Sequence, residues 1–136
     1  MAKKTWQEKF NSDKPPIVKV IDKKFADMPA GTNMFIATPK IIDAYVNHIP
    51  SGVAVDILTM RKDLAAEYEA EKTCPVTTSI FLRIASEVAF EKYQNGSSLE
   101  AITPFWRVVS SKMSLAKKLA CGVDFIKEQR MNEELS

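Results

Sequence analysis

The stretch "TPKIIDAYVNHIPSG", Thr38 to Gly52, constrains the fold more than any other part of the chain. Thr38 offers a side-chain oxygen to the free N–H groups of a helix start. Pro39 lacks an N–H that the first helical position does not need. Ile41, Ile42, Tyr45, Val46 and Ile49 then recur at three- and four-residue intervals, which sets them on one face of a helix ending at "IPSG". Such a face is stable only when buried against other elements.

Other helices are legible nearby. Asp56 is placed to cap one whose apolar stripe runs Ile57, Met60, Leu64, Ala65 and Tyr68 and whose end, "EYEAEK", is acidic. The loop "TCPVTT" leads into another, capped by Thr77 or Thr78, with Ile80, Phe81, Ile84, Val88 and Ala89 inward. Ser79, Arg83, Ser86, Glu87 and Phe90 then point elsewhere. In "MSLAKKLACG" Ser114 is expected to cap a helix that Gly122 stops in a left-handed conformation. "VDFIKEQR" is a last short helix with Phe125 and Ile126 inward, followed by a frayed tail over 131–136.

Residues 1–37 read differently. "KKTWQEKF" is one amphipathic turn of helix stopped by "NSDKPP", while "IVKVI" and "NMFIAT" read as strands. "DKKFADMPAGT" between them reads as a short helix and turn. The expectation is a mostly α fold with a small β component, residues 1–37 forming an N-terminal α/β extension packed on a domain over 38–130.

At 136 residues there is room for one real core, and 46% hydrophobic with 26% charged residues is the balance of an ordinary globular chain. No 18-residue apolar run and no charged-then-apolar leader is present, so the expectation is a cytoplasmic protein with no membrane span. Cys74 and Cys121 lie far apart and His48 is the lone histidine, a ligand set too thin for a metal site; no cofactor is expected. The net charge of +2 is uneven. Residues 1–40 hold eight lysines against four acids, whereas 41–99 hold five basic against eight acidic side chains. Any nucleic-acid contact should therefore be local, with the first segment suited to neutralising phosphate; the alternative is a solvated surface with a lysine excess.

Two helices joined by a short polar loop are either a helix-turn-helix or a plain helical hairpin. In the first case the second helix presents its N-terminal turn to the major groove, making Thr77, Thr78, Ser79 and Arg83 the contact residues. In the second, Arg83 pairs with Glu87 one turn later on a solvent face. The run "ITPFWRVV", Ile102 to Val109, is similarly open: a strand with core aromatics, an edge strand broken by Pro104, or an active-site loop without its reactive residue.

Taken in order, "PKIIDAYVNHIPSG", the helix pair, "ITPFWRVV" and a helix carrying Lys127 after a glycine resemble the DNA-binding domain of the alkylguanine-DNA alkyltransferases over about residues 38–130. That family has a helix ending in Ile-Pro-x-Gly, a helix-turn-helix of winged-helix-like type, and an Ile-Pro-Cys-His-Arg-Val motif whose thiolate accepts an alkyl group. The resemblance places Phe105 at the cysteine and Trp106 at the histidine, between Pro104 and Arg107. It thus points to the alkyltransferase-like branch, which binds lesions without repairing them. A phenyl ring has no lone pair and an indole N–H is no base at neutral pH, so direct transfer at this position is excluded.

The same resemblance puts Ser79 at the family's intercalating arginine and Ile57 at its flipping tyrosine. It gives Arg107 the role of holding the active-site turn and lines the base pocket with Pro104, Phe105, Trp106, Arg107, Cys121 and Gly122. The function it implies is non-catalytic binding of double-stranded DNA, with recognition of O-alkylated guanine for hand-over to a repair-protein partner. Two alternatives stay open: a protein-interaction module on the same fold that has lost DNA, and a thiol enzyme using Cys121, whose commoner reading is a buried small hydrophobe.

Overall fold

The computed structural model describes residues 4–135; residues 1–3 of the expected extension and Ser136 of the expected tail lie outside it. In chain order the elements are α1 (Trp6–Phe10), β1 (Ile17–Val20), β2 (Asn33–Ile36), α2 (Pro39–Asn47), α3 (Ile57–Glu67), β3 (Lys72–Thr73), α4 (Pro75–Gln94), α5 (Ser114–Lys118) and α6 (Gly122–Asn132). Single 3-10 turns stand at Leu99–Ala101 and Phe105–Arg107. The fold is mostly helical with one three-stranded sheet in the order β1-β2-β3.

That sheet joins the two expected segments. β1 runs antiparallel to β2 with Ile17 opposite Ile36, and β2 pairs in parallel with β3, Phe35 opposite Thr73. Lys72, expected at the end of a helix, and Thr73, expected in the loop before α4, thus supply a strand. The sheet crosses the 37/38 boundary, and Phe35 enters the main core with no exposure. The segment "DKKFADMPAGT" forms no helix; it is a turn closed by Phe25 and Met28, whose backbones exchange 2.9 Å hydrogen bonds.

Helix starts follow side-chain chemistry at α2 and α3. Thr38 accepts from the Ile41 N–H at 3.2 Å and Asp56 from the Thr59 N–H at 2.7 Å. α4 departs from expectation. It begins at Pro75 with Cys74 as its cap, so Thr77 and Thr78 lie inside the first turn. Proline at the first helical position needs no donor and sets the start ahead of the threonines. Ser114 likewise is the first residue of α5, which Met113 precedes as cap. Gly122 is left-handed as expected, φ +80°, but it opens α6.

The inward face of α4 also differs. Ser86 and Glu87 are buried with Leu82, Ala85, Val88 and Ala89, whereas Ile80 is 51% exposed. The principal helical partners of α4 are α2 and α1, and the Phe105–Arg107 turn packs on it as well. The main core gathers Phe35, Ile42, Val46, Met60, Leu64, Leu82, Phe105, Trp106, Val109 and Ile126; a smaller one holds Ile21, Met28, Met34 and Cys74. Among the described residues no helix is long and apolar enough to cross a membrane.

Candidate functional site

The run "ITPFWRVV" is neither strand nor open loop. Pro104 precedes a single 3-10 turn in which the Val108 N–H reaches back to the Phe105 carbonyl at 3.1 Å, joined by the Val109 N–H at 2.8 Å. Pro104, Phe105 and Trp106 are buried. Phe105 lies parallel to Phe125 with ring centroids 6.1 Å apart, and Trp106 meets both rings edge-on. Offset and edge-on rings at these separations are ordinary core packing. The rings fill the space that a base pocket at this position would need.

Arg107 and Trp106 converge on Glu133. The guanidinium donates from Nε at 2.8 Å and from Nη2 at 3.1 Å to the Glu133 carboxylate, which also accepts from Trp106 Nε1 at 2.7 Å and from the Gly52 N–H at 3.1 Å. Arg107 Nη1 donates to the Ile49 carbonyl at 2.7 Å, and Arg130 Nη1 donates to the Trp106 carbonyl at 2.7 Å. Burial works against the Glu133 charge. The Arg107, Trp106 and Gly52 donors and the guanidinium charge outweigh it and hold the carboxyl below the usual range. The knot fastens the "IPSG" turn, the 3-10 turn and the C-terminal end of α6. The tail over 131–136 is therefore not frayed as far as Leu135: α6 continues to Asn132, Glu133 is anchored, and Leu135 packs on the core.

Of the four residues expected to touch DNA, two remain available. Thr78 is fully buried and its hydroxyl donates to the Cys74 carbonyl at 2.6 Å, so it leaves that set because it faces the core. The Thr77 hydroxyl is also buried and has no hydrogen-bond partner. Ser79 is exposed and Arg83 half-buried on the opposite side of α4. Both line an open groove of about 340 Å³ together with Ile57, Ile80, Met113, Ser114, Leu115 and Lys118. α3, α4 and α5 thus bring Ile57, Ser79 and Arg83 around one cleft. A second groove, about 790 Å³, shares Ile57 and Met113 and adds Lys112, Lys127 and Arg130 to the same side.

Arg83 is already engaged. Its Nη2 donates to the Lys118 carbonyl at 3.3 Å, and its Nε lies 3.7 Å from the Glu87 carboxylate, within ion-pair range but without a hydrogen bond. The pairing with Glu87 is the one expected of a plain helical hairpin, yet Glu87 is buried and not on a solvent face. Its carboxylate accepts from the Ala120 N–H at 3.1 Å, which ties α4 to the segment after α5.

Cys121 and Gly122 line neither groove. Cys121 packs against the main core, and burial, aided by the Glu87 charge, pushes its thiol up to about 11. A thiol so placed is protonated at neutral pH and is a poor nucleophile. Cys74 is buried in the smaller core. Glu133, Lys118 and Met113 escaped the sequence reading. Glu133 partners groups from 26 to 81 residues away, so no local pattern marks it. No family model matches the chain, and neither a curated protein nor a solved structure does.

Proposed function

We propose that the chain is a non-catalytic protein that binds double-stranded DNA through the groove between α4 and α5, on a helix-turn-helix fold of the alkyltransferase C-terminal type. One observation carries the reading: Ile57 and Ser79, the positions that the resemblance puts at the duplex, and Arg83, expected there from the helix-turn-helix reading, line a single groove although Ser79 and Arg83 lie 22 and 26 residues after Ile57. Lys112 and Lys118 stand on the same side, where ammonium groups can replace phosphate counterions. Ser79 and Ser114 supply hydroxyls suited to backbone oxygens.

The chemistry is binding without transfer. Phe105 and Trp106, which the resemblance sets at the thiol and base, are buried in the core, and the Cys121 thiol is held protonated. A modified base such as O-alkylguanine would have to enter the larger groove beside Ile57 and Met113, since the space around Phe105 is filled. Extrusion costs a few kcal/mol, so lesion preference depends on contacts made there.

The test is a salt titration of duplex binding with plain and O-alkylguanine-containing DNA. Counterion release predicts that affinity falls steeply with salt, by about tenfold or more between 50 and 200 mM for a few phosphate contacts. Lys118→Glu should weaken every duplex alike. Absence of binding at low salt would overturn the reading, and equal affinity for both duplexes would remove lesion recognition alone.

A second reading is favoured by the exposed apolar side chains Leu58, Val76 and Ile80 on α3 and α4, at 49%, 50% and 51%. Exposed apolar side chains, Ile80 among them at the groove, also suit a protein partner. An interaction module would show no duplex binding and would lose its partner on Ile80→Lys.

A further inference from the structure

The N-terminal helix lies against the helix that carries the groove. α1 packs on α4 and reaches α2. A capping box fixes its start: Thr5 Oγ1 accepts from the Glu8 N–H at 3.1 Å, and the Glu8 carboxylate accepts from the Thr5 N–H at 3.0 Å. Five residues are too few for a helix that stands alone, so packing must hold it. Trp6 and Phe10 are the half-buried members. On α4, Ile84 and Val88 are buried although they belong to neither core cluster, as expected of a surface covered by another helix.

The capping places Trp6 first in α1, with its ring 5.1 Å from the Arg83 guanidinium carbon and 4.5 Å from the Lys9 ammonium. The other contacts of Arg83 are loose, 3.3 Å to the Lys118 carbonyl and 3.7 Å to Glu87. Bonds this long do not fix a guanidinium on a flexible stem. An indole face does so better, because a planar delocalised cation stacks on it.

We infer that Trp6 is a positioning residue of the interface, setting the Arg83 guanidinium beside the groove so that the N-terminal helix belongs to the DNA-binding surface. This rests on the duplex-binding reading above. Lys9 is a second cation in contact with the same ring. The lysine-rich first segment thereby acquires a role in the site as well as in the sheet.

A double-mutant cycle on a plain duplex at low salt tests the inference, with thermal midpoints measured in parallel. Trp6→Ala should weaken binding about threefold to tenfold, the scale of a partly desolvated cation–π contact, and Trp6→Phe should recover most of the loss. In an Arg83→Ala background Trp6→Ala should add less than about twofold, because Trp6 acts through Arg83. Should Trp6→Ala fail to fold, Trp6→Leu keeps apolar volume while removing the π face and reads the same coupling. An equal drop in both backgrounds, or binding as tight as wild type, overturns the inference and leaves the duplex reading intact. No binding by the wild-type chain overturns both.

Discussion

Two arginine–glutamate pairs, Arg107–Glu133 and Arg83–Glu87, use the same chemistry to different ends. The first is a fork with bonds of 2.8 and 3.1 Å, and its carboxylate has two further N–H donors. Both side chains are at most 15% exposed. In the second, the Arg83 side chain is 37% exposed, the approach is 3.7 Å, and Nε makes no hydrogen bond. A pair whose three guanidinium nitrogens are all engaged holds backbone segments in register and keeps its arginine in place. A loose pair beside a groove leaves an arginine that can change partner.

The strongest way to break this contrast is to delete the carboxylates. Glu133→Ala strands the Arg107 guanidinium, the Trp106 indole and the Gly52 N–H together, and should cost about 3 kcal/mol or more in denaturant unfolding. Glu87→Ala should cost less, about 1–2 kcal/mol, because it leaves one donor, the Ala120 N–H, unpaired while Arg83 turns to water. Equal losses would mean that bond geometry does not rank the two pairs.

Acid titration sharpens the same point. Glu133 has a folded pKa below its unfolded value, which is about 4.3 for a free glutamate. Its contribution is therefore complete above the unfolded value and lost as pH falls through the folded one. In Glu133→Gln the acid limb of the stability curve should flatten below about pH 4.3, with little change of slope near neutrality. An unaltered acid limb would show that the knot does not titrate with unfolding.

Lysine replacements should give a smaller separation. Arg107→Lys loses the two-pronged bond and should cost about 1–2 kcal/mol. Arg83→Lys, at a screened and partly exposed site, should stay within about 1 kcal/mol in stability while lowering duplex affinity. The least effect is expected from Thr77→Val. Removing a buried hydroxyl without a partner should leave stability unchanged or raise it by about 1 kcal/mol. A loss of stability would reveal a hydrogen bond to that hydroxyl, and a loss of duplex binding would return Thr77 to the contact surface.

Much of the framework was readable because it depends on neighbours in sequence. The caps at Thr38 and Asp56 bond residues three positions on, so residue identity and spacing suffice. β1 and β2 follow from short apolar runs bounded by turn residues. The α4 face was misread because periodicity assumes one buried side, whereas α4 is covered by α2, α1 and the 3-10 turn around much of its girth. That is why the pattern leaves Ser86 and Glu87 off the buried face and puts Ile80 on it. In the candidate site, Ser79 and Arg83 were legible from helix position; Trp6, Met113 and Lys118 were not.

By itself the sequence determined the local grammar: where α2 and α3 begin, and that the fold is mostly helical with a small sheet. Tertiary structure alone decided which charged groups meet. Glu133 reaches Gly52 across 81 positions, and Trp6 reaches Arg83 from the first described helix. Such contacts are chosen by how helices pack once apolar faces are buried, and packing is a property of the assembled surfaces that spacing along one segment does not carry.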